Sequence, residues 1–203
     1  MIHPKYSEAV CGMLYFYGTI SLCDIFTISC KIGLCEPADL KQCMDIIEFN
    51  IVYRKKAHFS KNKLCHRRLN NRNIVEDMQK NFLMPFYKIF TANEYITAGA
   101  EGFDIMFTKE MGALCIMLGK ISPREPEVVR SEVLHIWEEI NNRSDLVRVT
   151  EECIDNLDLS SMGRDFHFLT VLAEISKLAD RMPLWFYKGY SCSEIKVEDD
   201  AVI

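Results

Sequence analysis

From Asn73 onward apolar side chains return every three or four residues with little interruption, and that period restricts this part of the chain to packed helices. Val129, Val133, Ile136, Trp137 and Ile140 line one face of a helix of about four turns. Leu146, Val149, Cys153, Ile154 and Leu157 make the next, and Phe168, Val171, Leu172, Ile175, Leu178 and Met182 the one after. That last segment is apolar over so much of its girth that it belongs in the middle of a bundle. Further helices are expected over Ile74–Met84, Ala92–Ala98 and Phe103–Leu118, with an extended Phe86–Phe90 between the first two. Thr91 and Glu94 have the spacing of a capping box at the start of the second. Ser122-Pro123-Arg124-Glu125-Pro126 is a stop and restart, because the residue before each proline is pushed out of helical geometry. Glu198–Ile203 reads as a frayed acidic tail.

The first 72 residues are organised differently. Ala9, Val10, Met13, Leu14 and Tyr17 give a first helix, broken at Gly18. Ser21 is placed to cap a second, whose inner face is Leu22, Ile25, Phe26, Ser29 and Ile32, ending at Gly33. After Pro37 a third runs through Leu40, Cys43, Met44 and Ile47. Ile51, Val52 and Tyr53 follow, and then Ala57-His58-Phe59, a polar Ser60–Lys63 turn and Leu64-Cys65-His66 suit a short hairpin. Three short helices and a hairpin is the order of a winged helix, a variant of the helix-turn-helix. The expected fold is mostly α: a winged-helix-like unit with a basic β-hairpin over residues 1–72, then an acidic helical bundle over 73–203.

Charge is also distributed unevenly along the chain. The net charge of −5 conceals ten Lys or Arg against two acids in residues 51–90, and eleven against twenty-one in residues 91–203. Such asymmetry points to a charged partner. Arg54, Lys55, Lys56, Lys61, Lys63, Arg67, Arg68 and Arg72 form a run without an acid, interleaved with His58 and His66, and are the candidate nucleic-acid contacts. The third helix suits that role less well: only Lys41 and Gln42 fit base edges, and Asp39 and Asp45 would repel phosphate. A solvated loop, or a cationic face holding the acidic half by intramolecular attraction, is the competing reading.

Chemistry beyond binding finds little support. Nine cysteines, at 11, 23, 30, 35, 43, 65, 115, 153 and 192, include no Cys-x-x-Cys pair and read as packed reduced thiols. Cys30, Cys35, Cys43 and Cys65-His66 come nearest to a zinc set, at spacings too loose for tetrahedral pairs. Glu132 and His135 are half of a carboxylate-bridged metal motif, and Asp165-Phe166-His167 has the wrong spacing to complete it. There is no phosphate-binding loop, nucleophile elbow or His-Glu-x-x-His, and the nine glycines are scattered. Neither enzymatic activity, nor a cofactor, nor a metal is expected. No apolar run approaches the ~18 residues of a membrane span. The amino terminus carries no basic segment followed by an apolar stretch, so a cytoplasmic protein without membrane contact is expected.

Two phrases, Phe90-Thr91-Ala92-Asn93-Glu94-Tyr95-Ile96-Thr97-Ala98-Gly99 and Met182-Pro183-Leu184-Trp185-Phe186-Tyr187-Lys188-Gly189-Tyr190-Ser191-Cys192-Ser193-Glu194, resemble uncharacterised helical regions of bacterial SEC-C-type proteins, as does Leu14-Tyr15-Phe16-Tyr17-Gly18. The resemblance implies a winged-helix-like start and a helical body with no established reaction. The chain lacks the cysteine and histidine cluster of the SEC-C zinc motif, so the family's metal site does not carry over.

Two binding functions remain. One is a regulator that holds duplex DNA or another nucleic acid through the basic hairpin. The other is a protein-binding adaptor, or an anti-CRISPR-like mobile-element inhibitor whose acidic body mimics phosphate in a host nuclease channel. Trp185, Phe186, Tyr187 and Tyr190 are the candidate protein-binding anchors, with the last-helix staple as their alternative role. Either aromatic end, these or Tyr15–Tyr17, would support a homodimer. A catalytic reading would need His58, His66, Glu132, His135 or Asp165 to converge in one pocket.

Overall fold

The computed structural model describes residues 1–52, 55–100, 108–159 and 164–195, with side chains of the final segment described from His167. Tyr53, Arg54, the start of the helix expected from Phe103, the Asp165 side chain and the tail from Glu198 lie outside the described residues. The chain is mostly helical, with one small antiparallel sheet. It forms two compact units: Met1–Met106 with Trp185–Gly189, and Phe107–Leu184 with Tyr190–Ile203.

The first unit is built on α1 (Tyr6–Tyr17), a helix buried on every side from Ala9 to Tyr17. β1 (Thr19–Ser21) follows directly and leads into α2 (Leu22–Lys31), which Ser21 caps by accepting the Asp24 amide at 3.0 Å. A 3₁₀ turn (Pro37–Asp39) opens α3 (Leu40–Ile46), and a π-helical stretch (Ile47–Val52) closes it. β2 (Ala57–Ser60) and β3 (Lys63–His66) form the hairpin, with Phe59 opposite Leu64 and Ala57 opposite His66. β3 lies between the other two strands, in the order β1-β3-β2, because Thr19 pairs with Cys65 and Ser21 with Lys63. The three-residue β1 is too short for its alternation to stand out in the sequence.

This unit continues past residue 72, the end of the expected winged-helix-like domain, through α4 (Arg72–Asn81) and α5 (Ala92–Ala100). Close backbone approach is the physical reason. A Cβ on Gly12 would stand 1.9 Å from the Tyr95 carbonyl oxygen, and one on Gly99 1.8 Å from that of Glu8, so α1 and α5 cross at a contact only glycine admits. Next to this crossing the Tyr17 hydroxyl donates to the Lys88 carbonyl at 2.5 Å and hydrogen-bonds Tyr95, whose hydroxyl accepts the Phe90 amide at 3.1 Å. Phe16 stacks on Phe90 with centroids 3.9 Å apart. The capping box at α5 forms: the Thr91 amide donates to Glu94 at 2.8 Å and the Glu94 amide to the Thr91 hydroxyl at 3.3 Å.

Among its described residues the second unit has four long helices and a short helical stretch at 192–195. α6 (Lys109–Ile121) packs on α7 (Pro126–Asn141) and on α9 (Arg164–Arg181), and α8 (Leu146–Asn156) packs on α7 and α9. The expected faces supply its core: Val129, Val133, Ile136, Trp137, Val149, Cys153, Ile154, Val171, Ile175 and Leu178 are buried. Pro126 occupies the first turn of α7, where its missing N–H has no helical partner to lose.

Candidate nucleic-acid interface

The basic run divides by exposure. Lys55, Lys61 and Arg67 are exposed on or beside the β2–β3 ribbon, with His58, Phe59 and Asn62 exposed among them. Lys56, Lys63, Arg68 and Arg72 are half-buried, and Arg54 lies outside the described residues. Two of the half-buried cations are already engaged. Arg72 Nε donates to Glu76 Oε1 at 2.8 Å across one turn of α4, and Lys63 Nζ stands 3.6 Å from the same oxygen. Burial raises the Glu76 pKa, but the Arg72 guanidinium and the Lys63 ammonium outweigh it and hold the carboxyl below its ordinary range. The carboxylate therefore stays ionised at neutral pH and compensates charge at the base of the ribbon.

His66, expected among the basic residues, does not reach the surface. It is fully buried with its ring 5.0 Å from that of Trp185, and Nδ1 accepts the Arg68 amide at 3.2 Å. Burial first, then Arg68 and Arg67, drive its pKa well below the usual histidine value, so the ring is neutral. β3 starts from a half-buried Lys63 and then buries Leu64, Cys65 and His66 in succession, so simple alternation fails because its inner end is covered on both faces. On α3, Lys41 and Gln42 are exposed as a base-reading helix requires, but Asp45 is exposed with them, as is Glu48 in the π-helical stretch that follows.

The aromatic residues expected at a partner surface are used inside the protein. Trp185 and Phe186 are buried, and the Trp185 indole N–H donates to the Tyr15 carbonyl at 2.8 Å. Tyr187, half-buried, stacks on Phe82 with centroids 5.0 Å apart. Tyr190 is half-buried in the second unit, where its carbonyl accepts the Leu184 amide. Trp185 and Phe186 thus anchor the Trp185–Gly189 segment within the first unit. An indole and a phenyl ring out of water on a bonded scaffold gain more from staying there than from waiting for a partner.

The residues a catalytic reading would need divide between the two units. His58 is exposed and His66 buried in the first unit, while in the second the Glu132 carboxylate accepts the Asn156 amide at 3.1 and 3.3 Å. His135 Nε2 lies 4.0 Å from a Glu152 oxygen. No group of three or more His, Cys, Asp or Glu side chains suited to a metal is present among the described residues. Cys30 and Cys35 do meet, Sγ to Sγ 3.7 Å, but all nine cysteines are free thiols. No described helix is long and apolar enough to cross a membrane.

Gln79 and Lys188 carry an arrangement that the sequence reading did not find. Gln79, on the inner face of α4, is 3% exposed and donates through Nε2 to the carbonyls of Tyr17 at 2.9 Å and Trp185 at 2.7 Å. A glutamine on an amphipathic helix gives no local signal of this, because its partners are 62 and 106 residues away. No protein-family model matches this chain, and no curated protein or solved structure is significantly similar to it.

Proposed function

We propose that the protein is a non-enzymatic, nucleic-acid-associated regulator whose basic hairpin follows phosphates. The order helix, strand, helix, helix, hairpin, with the first strand beside the last, supports a winged-helix reading in which the β2–β3 ribbon serves as the wing. The observation that carries the reading is the exposure of Lys55, Lys61 and Arg67 along this ribbon, while Glu76 pairs with Lys63 and Arg72. Backbone conformation adds support. Lys55 and Lys61 hold left-handed φ values of 56° and 55°, where glycine or asparagine would be less strained. Lysines kept at such positions are consistent with a use for their charge. Exposed Asp45 on α3 and Glu48 just beyond it make the ribbon, rather than the helix, the main contact, with little reading of base sequence. The likeness to SEC-C-type helical regions fits this reading of the first unit.

Fluorescence anisotropy with labelled duplex and single-stranded DNA tests it. Three ribbon contacts give a log–log salt slope of about −2.7, a fall of roughly 40-fold in affinity between about 50 and 200 mM salt. The double change Lys61→Glu with Arg67→Glu, at exposed positions, abolishes binding and leaves the circular dichroism unchanged. Absence of binding to both strand forms at low salt would overturn the reading in favour of a protein-binding adaptor or inhibitor.

A further inference from the structure

The turn that closes α2 folds the chain back so that two thiols meet. Cys30 lies in the last turn of α2, and the helix ends in a hydrogen-bonded reversal. The Leu34 amide donates to the Ser29 carbonyl at 2.8 Å, and the Gly33 amide to the Cys30 carbonyl at 3.2 Å. Gly33 holds φ at 74°, the left-handed conformation with which such helix ends reverse. Leu34 is fully buried, and its carbonyl accepts the His3 amide at 2.8 Å. Cys35 follows at once and returns to Cys30, Sγ to Sγ 3.7 Å. Backbone hydrogen bonds thus hold the turn that brings the two side chains into contact. A disulfide needs its sulfurs about 2.05 Å apart, so the pair must close by roughly 1.7 Å, which rotation about the two Cα–Cβ bonds can supply.

The two thiols differ in access. Cys30 is half-buried, whereas Cys35 is 5% exposed. Burial, and then the Cys30 and Cys43 thiols beside it, push the Cys35 pKa up. Cys43, on α3, is 1% exposed. An oxidant therefore reaches Cys30 first, and Cys35 is the thiol placed to follow it. Cys23 offers the contrast. It is exposed on the same helix, but seven residues before Cys30, so the two lie about 10 Å apart along the axis and cannot pair.

We infer that Cys30 and Cys35 form a reversible oxidation site that exchanges with low-molecular-weight disulfides. The Cys30 thiolate attacks one sulfur of the small disulfide, forming a mixed disulfide and expelling one thiolate. Cys35 gives its proton to solvent and attacks Cys30 Sγ. The Cys30–Cys35 bond forms as the mixed disulfide breaks, and the second small thiolate leaves. Two protein thiols are oxidised, one small disulfide is reduced to two thiols, and these take up the two protons released. Excess small thiol drives the same steps backward. The inference does not depend on the ribbon reading, since neither cysteine belongs to the hairpin, and either stands if the other fails.

Incubation of the folded full chain with millimolar oxidised glutathione, followed by acid quenching and peptide mass mapping without reduction, tests it. Trypsin cuts after Lys31, between the two cysteines, so the bond appears as two linked peptides. The Cys30–Cys35 link accumulates at least about tenfold over any Cys35–Cys43 link, while Cys23 keeps a bound glutathione. Excess reduced glutathione restores both thiols. Cys35→Ser stops the reaction with glutathione on Cys30, Cys30→Ser leaves Cys35 unmodified, and Cys43→Ser retains the link. The parent chain alone decides the question should a variant fail to fold. Four results overturn the inference: Cys30 in the parent chain holds glutathione without closing onto Cys35; Cys30 stays unmodified while Cys23 reacts; Cys35 links chiefly to Cys43; or the Cys30–Cys35 link forms only in denaturant.

Discussion

Replacing Gly99 by alanine tests the contact on which the first unit is built. The new Cβ would meet the Glu8 carbonyl oxygen at 1.8 Å and the Gly12 amide nitrogen at 2.6 Å. An unstrained carbon-to-oxygen contact needs about 3.3 Å, so α1 and α5 must part by roughly 1.5 Å. The obstacles are backbone atoms of α1, which have no rotamer to give. Radial gaps of that size forfeit about half or more of the dispersion energy of the side chains between the helices, Phe16, Tyr95 and Ala98 among them. Overpacking of this kind costs about 3 kcal/mol, against which alanine's better helix propensity returns about 1 kcal/mol. A net loss of about 2 kcal/mol is expected. Urea unfolding followed by Trp185 emission in a Trp137→Phe background isolates the first unit, since these are the chain's two tryptophans and each lies in a different unit. Gly12→Ala should cost a similar amount and the double variant much less than the sum, because one separation of the helices relieves both clashes. Gly112, in α6, is the control: nothing lies within 4 Å of its Cβ position, so Gly112→Ala should stabilise its unit by about 0.5–1 kcal/mol. A Gly99→Ala protein as stable as the parent would refute the close crossing.

Two further outcomes follow from buried groups. Burial raises the Glu132 pKa, with Asn156 and His135 opposing the shift, so the folded state holds this proton more tightly than the unfolded state. Stability from that proton is present below the ordinary carboxyl range and is lost as pH rises through the folded value, so Glu132→Gln should stabilise the protein at neutral pH. The gain should shrink toward about pH 4, and a gain independent of pH in urea titrations would count against the assignment. For the thiols, burial pushes the pKa of Cys11 up to about 11 and that of Cys153 to about 12, while Cys23 is exposed. Iodoacetamide at about pH 8 should therefore modify Cys23 first and reach Cys11 and Cys153 only in denaturant, as peptide mass mapping would show.

The helical body was legible because amphipathic helices carry their burial pattern in consecutive residues. Val129, Val133, Ile136 and Trp137 are buried where their spacing places them, and Ser21 and Thr91 cap helices as their local sequence requires. The hairpin was legible for the same reason, since its strands and turn are contiguous. What escaped was decided at long range. Nothing near Gly99 indicates that Glu8 will lie against it, and nothing near Trp185 indicates that Tyr15 and Gln79 will bond to it. The boundary at residue 72 came from the local order of helices and hairpin, whereas α5 is held to α1 by close backbone contacts that no local pattern registers. The basic run was legible as charge but not as geometry: only the fold separates Lys55, Lys61 and Arg67 from the pair committed to Glu76.

That separation leads to a change that should strengthen binding. Glu76 holds Arg72 at 2.8 Å and Lys63 at 3.6 Å, so at neutral pH the pair contributes less to the field around the ribbon than its two charges suggest. In Glu76→Gln the amide retains an acceptor for Arg72 but carries no charge, and both cations become available to phosphate. The contact set grows from three toward five, and each added phosphate contact steepens the log–log salt slope by about 0.9. The variant should therefore bind duplex DNA more tightly at low salt and lose affinity faster as salt rises, with a slope approaching about −4.5. A small loss of folding stability accompanies this, because a partly exposed ion pair is worth about 1 kcal/mol or less. An unchanged slope with intact binding would mean that Lys63 and Arg72 face away from the bound strand, and the contact would then have to be redrawn around Lys55, Lys61 and Arg67 alone.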